Sequence, residues 1–211
     1  MFITFEGLDG AGKTTQAERL RRKLAAAGWT VVATREPGGT PIGDQLRALL
    51  LHPEHRDMAP ETEVLLYAAS RAQLVRQVIR PALRTGAIVL CDRFVDASIA
   101  YQGAGLGVGE EAVAAVNRLA TGGLRPDLTF LLDVPVEESR RRVRASRAGQ
   151  GLDRIEQRDS AYFYRVRESF LRLAAAEPGR IRVLDGRLPA DAVEQEIWAV
   201  VVNCLRKGGT G

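Results

Sequence analysis

Near the N-terminus, the run Gly7-Leu8-Asp9-Gly10-Ala11-Gly12-Lys13-Thr14 sets glycines, a lysine and a hydroxyl at fixed offsets. It fits G-x-x-x-x-G-K-[ST] in the required context: the strand-like run Phe2–Phe5 precedes it and a helical pattern follows. Glycines let successive amides turn inward around phosphate oxygens. The helix that follows adds the partial positive charge of its N-terminus. Lys13 is then set to reach the β- and γ-phosphates of a nucleotide, and the Thr14 hydroxyl to ligate Mg²⁺. The motif specifies a donor site for ATP but no reaction, because GTPases, ATPases and kinases share it.

A second group narrows the chemistry. The apolar run Ala87–Cys91 delivers Asp92 and Arg93 at its C-terminal end, where ligands bind in open α/β sheets. Asp92 is placed to act on Mg²⁺ or its water, and Arg93 to grip an acceptor phosphate. The chain carries no N-K-x-D segment for guanine and no L-S-G-G-Q-like transport signature.

Four segments in order carry a resemblance. They are the glycine loop, Thr34-Arg35-Glu36-Pro37-Gly38-Gly39, Asp92-Arg93-Phe94 and Leu152-Asp153-Arg154-Ile155-Glu156. Together they resemble bacterial thymidylate kinase over nearly the whole chain. The resemblance implies a P-loop NTPase fold with a five-stranded parallel sheet flanked by helices on both faces. It also implies transfer of the ATP γ-phosphate to dTMP with Mg²⁺, and a homodimer.

The same resemblance assigns acceptor residues. Asp9 would meet the sugar, Arg93 and Arg47 the acceptor phosphate, and Tyr67 would stack on thymine while Arg71 holds a base carbonyl. Ser98 and Gln102, four residues apart, would read polar edges of the pyrimidine, and Tyr101 would crowd the sugar 2′ position. Tyr67 stands where the family commonly has phenylalanine, and Phe94 where it commonly has tyrosine. Other monophosphate acceptors (dUMP, UMP, AMP) remain open, as does a regulatory protein without transfer activity.

Phosphoryl transfer needs cations beside the moving group, and an arginine there is worth on the order of 10³–10⁵ in rate. Some family members carry that arginine inside the glycine loop, yet Leu8, Asp9, Gly10 and Ala11 are not basic here. The basic, glycine-flanked segment Ser146–Arg154 suits a lid over ATP. It matches the family variant whose lid supplies the arginine, with Arg147 the first candidate and Arg154 the second.

The elements that must position these groups alternate along the chain. Phe2–Phe5, Val31–Ala33, Ala87–Cys91, Leu128–Leu132 and Ile181–Leu184 read as strands, several apolar on both faces. Helical patterns cover Thr14–Ala27, Pro41–Leu51, Glu61–Arg84, two segments within Val95–Ala120, Val136–Ser146, Ser160–Ala176 and Ala190–Arg206. That alternation predicts an α/β fold with right-handed crossovers. Gly103–Gly109 and Gly149–Gly151 read as loops, and Lys207–Gly211 as a frayed tail after a single domain over 1–206 with its lid at 146–157.

Composition agrees with one globular domain: 45% hydrophobic and 27% charged residues are ordinary values. Two cysteines, Cys91 and Cys204, imply neither a disulfide framework nor a metal cage. No basic leader or long apolar stretch is present, so the expected setting is cytoplasmic, without a membrane partner. The net charge of +4 raises nucleic acid as a partner. However, the cluster Arg140, Arg141, Arg142, Arg144 and Arg147 lacks aromatic interleaving and reads as a helix face, so none is expected.

Overall fold

The apolar runs pair side by side because each is too short and too buried to satisfy its backbone any other way. The computed structural model describes residues 1–208. Its sheet holds β1 (Phe2–Glu6), β2 (Val31–Arg35), β3 (Ile88–Asp92), β4 (Leu128–Asp133) and β5 (Ile181–Asp185), in the order β2-β3-β1-β4-β5. Every neighbouring pair is parallel. All five predicted strands are present, with small shifts at their ends. The three central strands are buried almost throughout, while β2 and β5 at the edges are partly exposed.

Helices fill both sides of the sheet: α1 (Lys13–Ala26), α2 (Pro41–Leu51), α3 (Pro60–Leu74) and α4 (Arg80–Arg84) in the first half. Then come α5 (Val95–Ser98), α6 (Glu110–Thr121), α7 (Val136–Ser146), α8 (Ser160–Ala176) and α9 (Ala190–Gly208). A wider π-helical turn, Val75–Ile79, joins α3 to α4, and another, Ile99–Gly105, continues α5.

Two expectations are corrected here. Gly103 and Gly105 lie inside the second π-helical turn and not in a loop. They serve close approach: a Cβ on Gly103 would stand 2.9 Å from the Glu110 backbone, and one on Gly105 2.6 Å from the Tyr162 ring. The predicted tail is likewise shorter, because α9 continues through Gly208. Residues 209–211 lie outside the described residues.

The main core lies between the sheet, α8 and α9, with Phe5, Phe130, Phe163, Phe170 and Ile197 all buried. A smaller cluster under α3 and α4 holds Phe2, Leu74, Ile79 and Phe94. Because β1 has β3 on one side and β4 on the other, the chain direction across the sheet reverses beside β1. A crevice opens at the strand C-termini at such a point. The loop after β1 and Asp92, at the end of β3, both line it.

Candidate active site

The phosphate loop takes its shape from glycine. Gly7 has φ 130°, and a Cβ there would lie 2.4 Å from the Leu132 carbonyl oxygen, so the loop can pass under β4 only without a side chain. Gly12 adopts the left-handed conformation as the N-cap of α1, which starts at Lys13. Lys13 is buried and donates to the Leu8 carbonyl at 2.8 Å, spanning the loop. Burial, then the neighbouring Arg93 cation, lowers its ammonium pKa to about 8. Thr14 donates to Asp92 Oδ2 at 2.5 Å, bringing the expected metal residues together at the mouth of the crevice.

Arg93 joins this loop to a second cleft. Its guanidinium donates to the Gly7 carbonyl at 3.1 Å, to Asp9 Oδ1 at 2.7 Å and to the Tyr101 hydroxyl at 3.2 Å. It also stacks 4.8 Å from the centre of the Tyr101 ring. Burial alone would raise the Asp9 pKa, but the Arg93 and Lys13 cations outweigh it and hold the carboxyl at about 2.

All the expected acceptor residues line this one cleft: Asp9, Arg47, Tyr67, Arg71, Arg93, Ser98, Tyr101 and Gln102. Arg47 lies along it and donates to the Pro37 carbonyl at 3.0 Å. Tyr67 and Arg71 come from one face of α3, as the spacing of four predicts. Phe94 does not enter the cleft; its ring packs edge-on to Phe2 at 5.0 Å in the core, so it needs no hydroxyl.

Arg71 is only 1% exposed, and it donates four hydrogen bonds and pairs with Glu36. Nε donates to Glu36 at 2.7 Å, one terminal nitrogen to Ser98 at 2.9 Å and to Asn117, and the other to the Phe94 carbonyl at 3.0 Å, with Glu36 2.5 Å away as its ion pair. Contact with a base carbonyl therefore requires one of these bonds to open.

The two lid arginines go to different places. Arg147 lines the cleft and pairs with Glu156 at 3.1 Å. Arg154 is buried, bound to Glu63 at 2.8 Å and to the Leu50 carbonyl at 2.8 Å, and does not line the cleft. Glu63 also receives Arg158 at 2.8 Å and Gln102 at 3.0 Å.

Sequence reasoning passed over Glu63, Asn117, Asp153 and Glu156 as site residues. For Glu63 a signal exists, since it sits four residues before Tyr67 and eight before Arg71 on the same helix face. Asn117 gives none, because its contact with Arg71 joins α6 to α3.

A phosphate loop tied by one arginine to a second, polar cleft at the reversal of a parallel sheet defines a P-loop phosphotransferase of the nucleoside monophosphate kinase type. Residues 5–197 match the family model described as "Thymidylate kinase". A thymidylate kinase of Exiguobacterium sibiricum is 52% identical over 206 residues, spanning 98% of this chain and 96% of that protein. One from Deinococcus radiodurans is 53% identical over 201 residues, spanning 95% and 96%. The crystal structure of thymidylate kinase from Ehrlichia chaffeensis superposes with a TM-score of 0.76 at 34% identity, covering 95% of this chain and 97% of that one. The chain belongs to the thymidylate kinase family.

Proposed function

We propose that this chain transfers the γ-phosphate of ATP to dTMP, giving ADP and dTDP for dTTP synthesis. The observation that carries the reading is the Asp9–Arg93 pair at 2.7 Å, which fastens the acceptor cleft to the donor loop itself. Lys13 and Arg93 line one cleft at the loop, so a phosphate held by each can face the other. That alignment, and not covalent help, is what phosphoryl transfer asks of a protein. The attacking phosphate oxygen is already anionic, so no strong base is needed.

In this reading Gly7 through Thr14 cradle the donor phosphates, with Lys13 on the transferring end. Arg93 and Arg47 hold the acceptor phosphate, Asp9 and Tyr101 its sugar. Tyr67, Arg71, Ser98 and Gln102 hold the base. Arg147, on the lid over 146–157 of a single domain spanning 1–206, supplies the positive charge that the donor loop lacks.

Thr14 and Asp92 would hold Mg²⁺. They present a hydroxyl and a carboxylate side by side, the hard oxygen donors Mg²⁺ prefers when phosphates and water complete its shell. When bound, the ion neutralises charge on the donor phosphates.

A homodimer fits the apolar side chains left open on adjoining helices: Ile42 and Leu49 on α2, Leu65 on α3 and Leu119 on α6. Among the described residues, no helix is long and apolar enough to cross a membrane. A cytoplasmic enzyme of small nucleotides, without a nucleic-acid partner, is the setting we assign.

The test is ADP release measured across dTMP, dUMP, UMP, AMP and dGMP. Turnover should be highest with dTMP. The margin over dUMP should be modest, because one methyl in a pocket is worth only about 1–3 kcal/mol. Equal or higher kcat/KM on AMP or dGMP would overturn the assignment.

A further inference from the structure

Glu6 is fully buried at the end of β1, directly before Gly7, and nothing above gives it a task. The residue directly after β3 is unusual. Among the described residues Arg93 is the only non-glycine with a positive φ, +72°. An L-residue adopts that left-handed backbone at a cost, so the surroundings must hold it there.

Three bonds do so. The Arg93 amide donates to the Phe5 carbonyl at 2.9 Å, which continues the sheet ladder. The Cys91 thiol, a weak donor, reaches the Arg93 carbonyl at 3.0 Å. The Phe94 amide donates to Glu6 Oε1 at 2.7 Å in the buried interior. Of the three, only the last comes from a side chain of another strand. The turn it stabilises sends the Phe94 ring into the core and returns the Arg93 guanidinium to Gly7 and Asp9.

We propose that Glu6 is a positioning residue: by accepting the Phe94 amide, its carboxyl fixes the left-handed turn at Arg93 and so sets where that guanidinium meets the acceptor phosphate. The proposal rests on the reading of Arg93 given above. What the turn needs is an acceptor at this depth, not a charge. Burial, then the nearby Asp96, pushes the Glu6 carboxyl up to about 8, and its second oxygen has no protein partner. A neutral amide should therefore serve as well as the acid.

Three variants separate acceptor, acid group and bulk. Glu6→Gln keeps the acceptor and removes the titrating acid, Glu6→Asp keeps the carboxyl but falls one methylene short, and Glu6→Met keeps length without an acceptor. Steady-state kinetics with dTMP and ATP varied in turn, alongside Tm, provide the readout. Glu6→Gln should stay within about threefold of the parent. Glu6→Met and Glu6→Asp should lose on the order of 10²-fold in kcat/KM for dTMP, the usual effect of a misplaced contact, with the KM for ATP within about twofold. Should Glu6→Met fail to fold, the Gln–Asp contrast still decides. The proposal is overturned if Gln is as impaired as Asp, or if Asp and Met lower Tm alone and leave the dTMP constants at parental values. A parent chain that does not turn over dTMP defeats the reading of Arg93 first, and this proposal with it.

Discussion

Arg154 and Glu63 meet at 2.8 Å, side chains 4% and 0% exposed, which ties the 146–157 segment to α3 and keeps Arg154 out of the cleft. Arg147, by contrast, is 39% exposed and lies along the cleft wall. One of the two arginines is therefore structural in its surroundings, while the other, paired with Glu156 and Asp153 at the cleft wall, is within reach of a nucleotide.

The two should respond differently to truncation. Arg147→Ala should reduce kcat by about 10³-fold, the lower end for an arginine beside a transferring phosphoryl group, and leave Tm unchanged. Arg154→Ala should lower stability by about 3 kcal/mol, because it strips a buried carboxylate of one of its partners. Steady-state rates and urea denaturation of both variants decide the matter. Parental kcat in Arg147→Ala would remove the lid from the chemistry.

Tyr67 supplies a second test. It is half-buried and lines the same cleft as Arg93, and its ring is the aromatic face on which a thymine base is expected to stack. Stacking is worth about 1–3 kcal/mol per base, so Tyr67→Ala should raise the KM for dTMP roughly 10- to 100-fold with little change in the KM for ATP. Tyr67→Phe should behave like the parent, since the hydroxyl donates no hydrogen bond to the protein. Loss of activity in the phenylalanine variant would contradict the stacking role.

Most of the sheet and the donor loop were legible because their signals are local. Five apolar runs became five strands, and the glycine spacing fixed the loop after β1. The residues expected to hold the acceptor came from family resemblance, and the structure brings them to one cleft. What stayed hidden depends on contacts across long separations. Nothing near Arg154 in sequence indicates that it pairs with Glu63, and Asn117 touches Arg71 from another helix. The glycines at 103 and 105 misled for a related reason. Glycine marks turns by its φ, but here it marks two places where helices approach too closely for a Cβ.

That close approach is testable. Gly105→Ala would push a methyl to within 2.6 Å of the Tyr162 ring and 2.8 Å of Val166. Overpacking of this kind costs about 1–3 kcal/mol. Because the same π-helical turn carries Tyr101 and Gln102 into the cleft, the KM for dTMP should rise together with the loss of stability. Gly107→Ala is the control for backbone strain alone, with φ 77° and no neighbour within 4 Å of a new Cβ. It should destabilise without changing that KM. If both variants alter the KM equally, the close packing at Gly105 has no special role.

Lys13 makes the pH dependence specific. Its ammonium is lowered to about 8 by burial and by Arg93, against an ordinary value of 10.5. The free protein therefore loses this cation as pH rises through about 8, and kcat/KM for ATP should fall with an apparent pKa near that value. Bound phosphates favour the charged form, so kcat at saturating ATP should hold to higher pH. Stability runs the other way. The unfolded chain keeps the proton up to about 10.5 and the folded one releases it near 8, so this group's contribution to folding should rise across that window. Glu6 titrates in the same range, and Glu6→Gln separates the two, because the inflection in kcat/KM for ATP should survive it. Lys13→Arg, with a guanidinium charged throughout, should lose the inflection along with much of the rate. A profile for ATP that is flat from pH 7 to 10 in the parent chain would show that Lys13 does not meet the donor phosphates as a titrating cation.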